Sequence, residues 1–137
     1  MITNISYHNN YHTRHMILQH VYQQRRINPD YSVIDIGGSA GSWTHDIRDC
    51  LVDYIAPPSG DQVLALDICS EAAWDQLRAV VHRRGAPFDF AICTHTLEDL
   101  YNPFLTLDHL PSIARGGVIS MPSLRTELYA HTESAQG

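Results

Sequence analysis

A chain of 137 residues with 44% hydrophobic and 18% charged residues is expected to fold as one soluble globular domain with its own core. Its formal net charge of −6 argues against broad electrostatic binding to nucleic acid. All nine basic residues are arginine, so this chain holds no lysine side-chain amine for Schiff-base chemistry and no P-loop lysine.

The opening MITNISYHNN is too polar for a secretory signal, and no apolar run reaches the length of a membrane span. A cytoplasmic protein without membrane association is the expectation. Cys50, Cys69 and Cys93 are far apart and form no CxxC pair. Each sits in or beside an apolar stretch, which predicts free thiols and no disulfide.

In chain order, residues 9–27 read as a helix, with Tyr11, Leu18, Val21 and Tyr22 on one side and Asn28-Pro29-Asp30 as its stop. His8, His12 and His15 share a helical face, but no carboxylate joins them and no metal site is expected. Val33-Ile34-Asp35-Ile36 is a short β-branched run within a strand at about 32–37. A loop with Gly37, Gly38 and Gly41 follows, then a helix over 43–55 for which Ser42 or Ser39 is the candidate cap. Pro57-Pro58-Ser59-Gly60 turns the chain into a second strand at 62–67. Ser70 and Gly85 bracket a helix over 70–84. A third strand at 88–93 leads to a helical stretch near 97–100 and a helix over 104–114, which Pro111 should kink or split. Gly116-Gly117 opens a fourth strand at 118–121, and residues 124–137 form a polar tail.

Strands alternating with helices predict an α/β fold in three layers, a Rossmann-like parallel sheet in the order 2-1-3-4. Such sheets bind ligands at the carboxyl ends of their strands, where the strand order reverses. The glycine loop falls there. The chain then divides into an N-terminal helix (1–29), a core (30–123) and the tail. Tyr7, Tyr11 and His12 would close over a ligand if that helix acts as a lid.

Four motifs in order carry a resemblance. "VIDIGGSAG" is similar to the first motif of class I, Rossmann-like S-adenosylmethionine-dependent methyltransferases, and "LALDI" to their second. "FDFAICTHTLEDLYNP" resembles their fourth-strand motif, and "LPSIARGGVISMPS" the helix, Gly-Gly turn and strand that follow. The resemblance covers residues 30–123 and implies a minimal methyltransferase core with S-adenosylmethionine as cofactor. It implies that Asp35, Gly37, Gly38, Ser39 and Gly41 shape the methionine pocket, with Asp67 on the ribose and Ile68 as an apolar contact. Thr94 and His95 would lie near the sulfonium, with His95 as catalytic base or substrate contact. The Leu-Glu-Asp form of the motif favours a small-molecule or glycan acceptor.

The chain departs from that pattern in three places. Ser39 replaces a loop glycine, a strand between Asp67 and Phe88 is missing, and the chain stops soon after the fourth strand. The early stop leaves Val118–Met121 as an open edge, through which a homodimer or heteromer is expected to form. Two functions therefore stand side by side: a methyltransferase, or a non-catalytic cofactor-binding module that needs a partner for activity. A nicotinamide dehydrogenase fits less well, because the loop departs from GxGxxG and Asp67 lies about 30 residues beyond it instead of about 20.

Overall fold

A computed structural model describes residues 10–39, 41–55 and 59–122. Its five strands, β1 (Val33–Ile36), β2 (Cys50–Val52), β3 (Val63–Leu64), β4 (Phe90–Thr94) and β5 (Gly117–Ser120), form one sheet. The order is β3-β2-β1-β4-β5 and every pair is parallel. Helix α1 (Asn10–Ile27) precedes the sheet, α2 (Glu71–Arg84) joins β3 to β4, and α3 (Pro103–Ile113) joins β4 to β5.

Strand alternation explains the layers. Ile34, Ile36, Cys50, Val52, Ala91 and Cys93 point to one face and pack with Trp74, Leu77 and Val80 of α2 and Ile113 of α3. Val33, Phe90 and Ile92 point to the other face, where Ile17 and Val21 of α1 and Ile47 cover them. β1 and β2 are buried along their whole length, as strands covered on both faces must be. The result is a three-layer α/β fold of Rossmann-like type.

Two expectations need correction. Residues 43–55 do not form a helix. Gly41–Ile47 is a run of turns, and Cys50–Val52 is a strand inserted between the two that were expected to be neighbours. Asp49 is the cause: its N–H donates to Val33 O at 2.8 Å, and its carboxylate accepts the Val33 N–H at 2.8 Å. That exchange ties the segment to β1 and diverts it from helical bonding. The order 2-1-3-4 becomes a five-strand order, and the strand expected at 62–67 is itself only Val63–Leu64; between Asp67 and Phe88 lies α2 and no strand, as expected.

The remaining elements follow local rules. α2 ends at Gly85 in a left-handed conformation, its N–H reaching Val81 O and His82 O. α3 begins with Pro103 and runs unbroken through Pro111, which has no N–H to give to Leu107 O yet does not split the helix. Cys50 and Cys93 are free and buried, and desolvation pushes both thiols up to about 12. No helix among the described residues is long and apolar enough to cross a membrane.

Candidate functional site

The strand order reverses between β1 and β4. The chain leaves β1 toward β2 and β3 on one side and later runs from β4 to β5 on the other. A crevice opens at the carboxyl ends of strands at such a point. A cavity of about 300 Å³ lies there, lined by Asp35, Gly37, Gly38 and Ser39 after β1 and by Thr94, His95 and Ser120 at the ends of β4 and β5. Thr13 and Arg14 of α1 complete its wall with Ser42 and Trp43.

The glycine loop is shaped from below. Gly37 has φ of 80°, and a Cβ there would stand 2.6 Å from Thr96 Oγ1. Thr96 cannot withdraw freely, because its hydroxyl lies 3.2 Å from Ile36 O and 3.1 Å from Thr94 O. A Cβ on Gly38 would meet the Asp35 carboxylate, with Cγ 2.6 Å away. Both glycines let backbone lie directly against a side chain. Ser39 keeps ordinary backbone geometry; among the described non-glycine residues only His95 has a positive φ.

Asp35 is almost wholly buried. Thr44 Oγ1 donates to its Oδ2, and Arg48 Nη1 lies 3.9 Å from the same oxygen. Desolvation raises its pKa, and the Asp53 charge adds to the rise, while the Thr44 hydrogen bond and Arg48 oppose it. The carboxylate is therefore committed to the protein interior, and its part in the site is to hold the loop. Ser42 caps no helix. Its Oγ pairs with Thr44 Oγ1 and accepts from Arg48 Nη1 at 2.9 Å each.

His95 occupies the left-handed region with φ of 52°, at the turn just beyond β4. Its N–H donates to Ser120 O at 2.8 Å, which fixes the turn against the end of β5. Its Nδ1 lies 3.5 Å from Glu98 Oε1, on the 3₁₀ turn Leu97–Asp99. A non-glycine residue held in that conformation at a cavity wall marks a place where the fold tolerates strain. Glu98 is placed to orient the ring.

The cavity gathers six of the residues expected for the cofactor: Asp35, Gly37, Gly38, Ser39, Thr94 and His95. Gly41, Asp67 and Ile68 do not line it. Asp67 is exposed beyond β3, its Oδ1 accepting the Cys69 N–H at 2.9 Å, and Ile68 is buried beneath Trp74. Sequence reasoning did not find Arg48 or Thr44, which lie outside any motif, and gave no role to Thr96, which lies within the fourth-strand motif. Nor did it find Asp53, which follows β2; an apolar run ending in aspartate, as at Leu66-Asp67, is the signal that marks it. The β1–β2 register sets Asp53 beside Gly37, whose N–H donates to Val52 O at 2.7 Å. His12 is exposed on α1, while His8 and Tyr7 lie outside the described residues. Comparison with models of protein families, with curated proteins and with solved structures gives no match for this chain.

Proposed function

We propose that the crevice binds S-adenosylmethionine and that the protein is a methyltransferase acting on a small-molecule or glycan acceptor. One observation carries this reading: a glycine loop sits at the switch point of a parallel sheet, yet among the described residues no helix N-terminus follows it before β2. In dinucleotide sites the pyrophosphate rests on that N-terminus. Here Gly41–Ile47 is a run of turns, so the loop has glycines for close approach but lacks the dipole that a phosphate needs. An amino-acid nucleoside without phosphates suits it better than NAD does.

Asp53 stands at the end of the strand next to β1, the position from which a carboxylate reaches ribose hydroxyls in this architecture. In the proposal Asp53 takes the ribose. Asp67, one strand further out, lies toward the far end of the nucleoside. Thr94 and His95 face the sulfonium. His95 would take the proton of an acceptor hydroxyl or amine, and the bound cofactor would supply an electrophilic methyl group with a neutral thioether as leaving group. Catalysis of this kind is mostly alignment of the acceptor with the sulfonium.

A binding-only module is the second reading. The cavity of about 300 Å³ stands at the lower end of the range of roughly 300–1,000 Å³ for ligand sites, small for a cofactor and an acceptor together. Titration calorimetry with S-adenosylhomocysteine and with NADH tests the cofactor. Single-turnover methyl transfer to cell-extract fractions then separates enzyme from module.

A further inference from the structure

α1 brings to the crevice a cation that the strand ends do not supply. Arg14 lines the cavity, and its guanidinium carbon stands 6.0 Å from the centroid of the Trp43 ring. Arg25, Arg48, Arg78, Arg83 and Arg115 each pair with a carboxylate. Arg14 has no such partner among the described residues. It also lies near the start of α1, where the helix dipole disfavours positive charge, in contrast to Arg25 and Arg26 in the last turn. The carboxylate of the cavity itself, Asp35, does not neutralise it, being engaged by Thr44 and Arg48.

Ser120 gives an independent observation. It lines the same cavity, yet its Oγ is shielded from water and has no hydrogen-bond partner among the described residues. A hydroxyl stripped of water and left unpaired is costly, and in folded proteins such a group usually has a partner. A polar ligand in the cavity would supply one.

We propose that the α1 side of the crevice is an anion subsite, in which a carboxylate or phosphate group of the ligand pairs with Arg14 beside Trp43. The Ser120 hydroxyl is completed by the same ligand. This rests on the crevice being the ligand site and not on which cofactor fills it. The anion has two possible sources, the amino-acid carboxylate of the cofactor or an acidic group on the acceptor.

The test is an NMR titration of the ¹⁵N-labelled full chain with sodium sulfate and sodium acetate, at ionic strength held constant with chloride. The Trp43 indole and the Ser39 and Ser42 amides shift saturably in the wild type. Those shifts shrink at least fivefold in Arg14→Gln and are unchanged in Arg26→Gln, an exposed control on the same helix. Calorimetry with S-adenosylhomocysteine and 5′-methylthioadenosine, which lacks the amino-acid portion, then finds the source. If Arg14→Gln weakens the first at least tenfold and the second less than twofold, the anion is the cofactor's carboxylate. If neither changes and sulfate still shifts the cofactor-loaded protein, the anion belongs to the acceptor. Saturable sulfate shifts without any S-adenosylhomocysteine binding support the subsite and refute the cofactor alone. Shifts that never saturate, or that are equal in wild type and Arg14→Gln, overturn the subsite.

Discussion

Arg48 holds Asp35 and the glycine loop with one nitrogen. Its Nη1 lies 3.9 Å from Asp35 Oδ2 and donates to Ser39 O at 3.0 Å, Ser42 Oγ at 2.9 Å and Thr44 Oγ1 at 3.0 Å. Both side chains are nearly free of solvent, so screening does little to weaken the attraction. Arg48→Met leaves a buried carboxylate without its counter-charge and frees the loop at two points. The expected loss at neutral pH is roughly 3 kcal/mol, the low end for breaking a buried pair because this one is long. Urea denaturation of the two proteins checks it, and a loss below about 1 kcal/mol contradicts the clamp.

The raised pKa of Asp35 sets a pH dependence of unusual sign. Its folded pKa lies above the ordinary value of 3.8, mainly through desolvation. Between those two values the native state binds more protons than the unfolded chain, so this group's contribution to stability falls as pH rises through the window. Most acids in folded proteins act oppositely, as Asp61 does beside Arg83. The wild-type stability minus that of Asp35→Asn should therefore fall as pH increases from about 3.8 upward. A difference that instead grows in favour of the wild type contradicts the assignment.

Gly37 and Gly85 share nearly the same φ, 80° and 84°, but differ in surroundings. A Cβ on Gly85 meets nothing within 4 Å among the described residues, whereas one on Gly37 runs into Thr96. Gly85→Ala should cost only the backbone strain, about 1 kcal/mol. Gly37→Ala adds the displacement of a hydrogen-bonded threonine and should cost about 2–4 kcal/mol. Thermal denaturation of both variants checks this. Equal losses would show that Thr96 yields without penalty.

His95 offers a trade between stability and activity. Its left-handed backbone is unfavourable for most side chains but tolerated by asparagine. His95→Asn should therefore be neutral or more stable by up to ~1 kcal/mol. In the proposed reaction it removes the proton acceptor, and methyl transfer should fall by about a hundredfold or more. A destabilised variant with full activity contradicts both halves.

The layers were legible because hydrophobic pattern governs them. Residues 10–27 and 71–84 put Ile17, Val21, Trp74 and Leu77 against the sheet, and the glycine loop fell at the switch point as strand alternation requires. The stretch 43–55 was illegible for a physical reason. Trp43, Ile47 and Leu51 recur at helical spacing, and Cys50-Leu51-Val52 is too short for alternation to show. What decides it is tertiary, the bonding of Asp49 to Val33. That one misreading hid β2, made the next strand appear to be β1's neighbour, and hid Asp53 at the end of the strand beside β1. Arg48 and Thr96 were invisible for another reason: their partners are 9 and 60 residues away, at Ser39 O and Ile36 O.

S-adenosylmethionine held in this crevice with its ribose on Asp53 is what we propose. Titration calorimetry of S-adenosylhomocysteine into wild type, Asp53→Ala and Asp67→Ala tests it most directly. We expect one site per chain, a loss of about 1.5–3 kcal/mol for Asp53→Ala, the range for removing hydrogen bonds to a charged group, and a smaller loss for Asp67→Ala. No binding by folded wild-type protein, or binding that Asp53→Ala leaves unchanged, would contradict it.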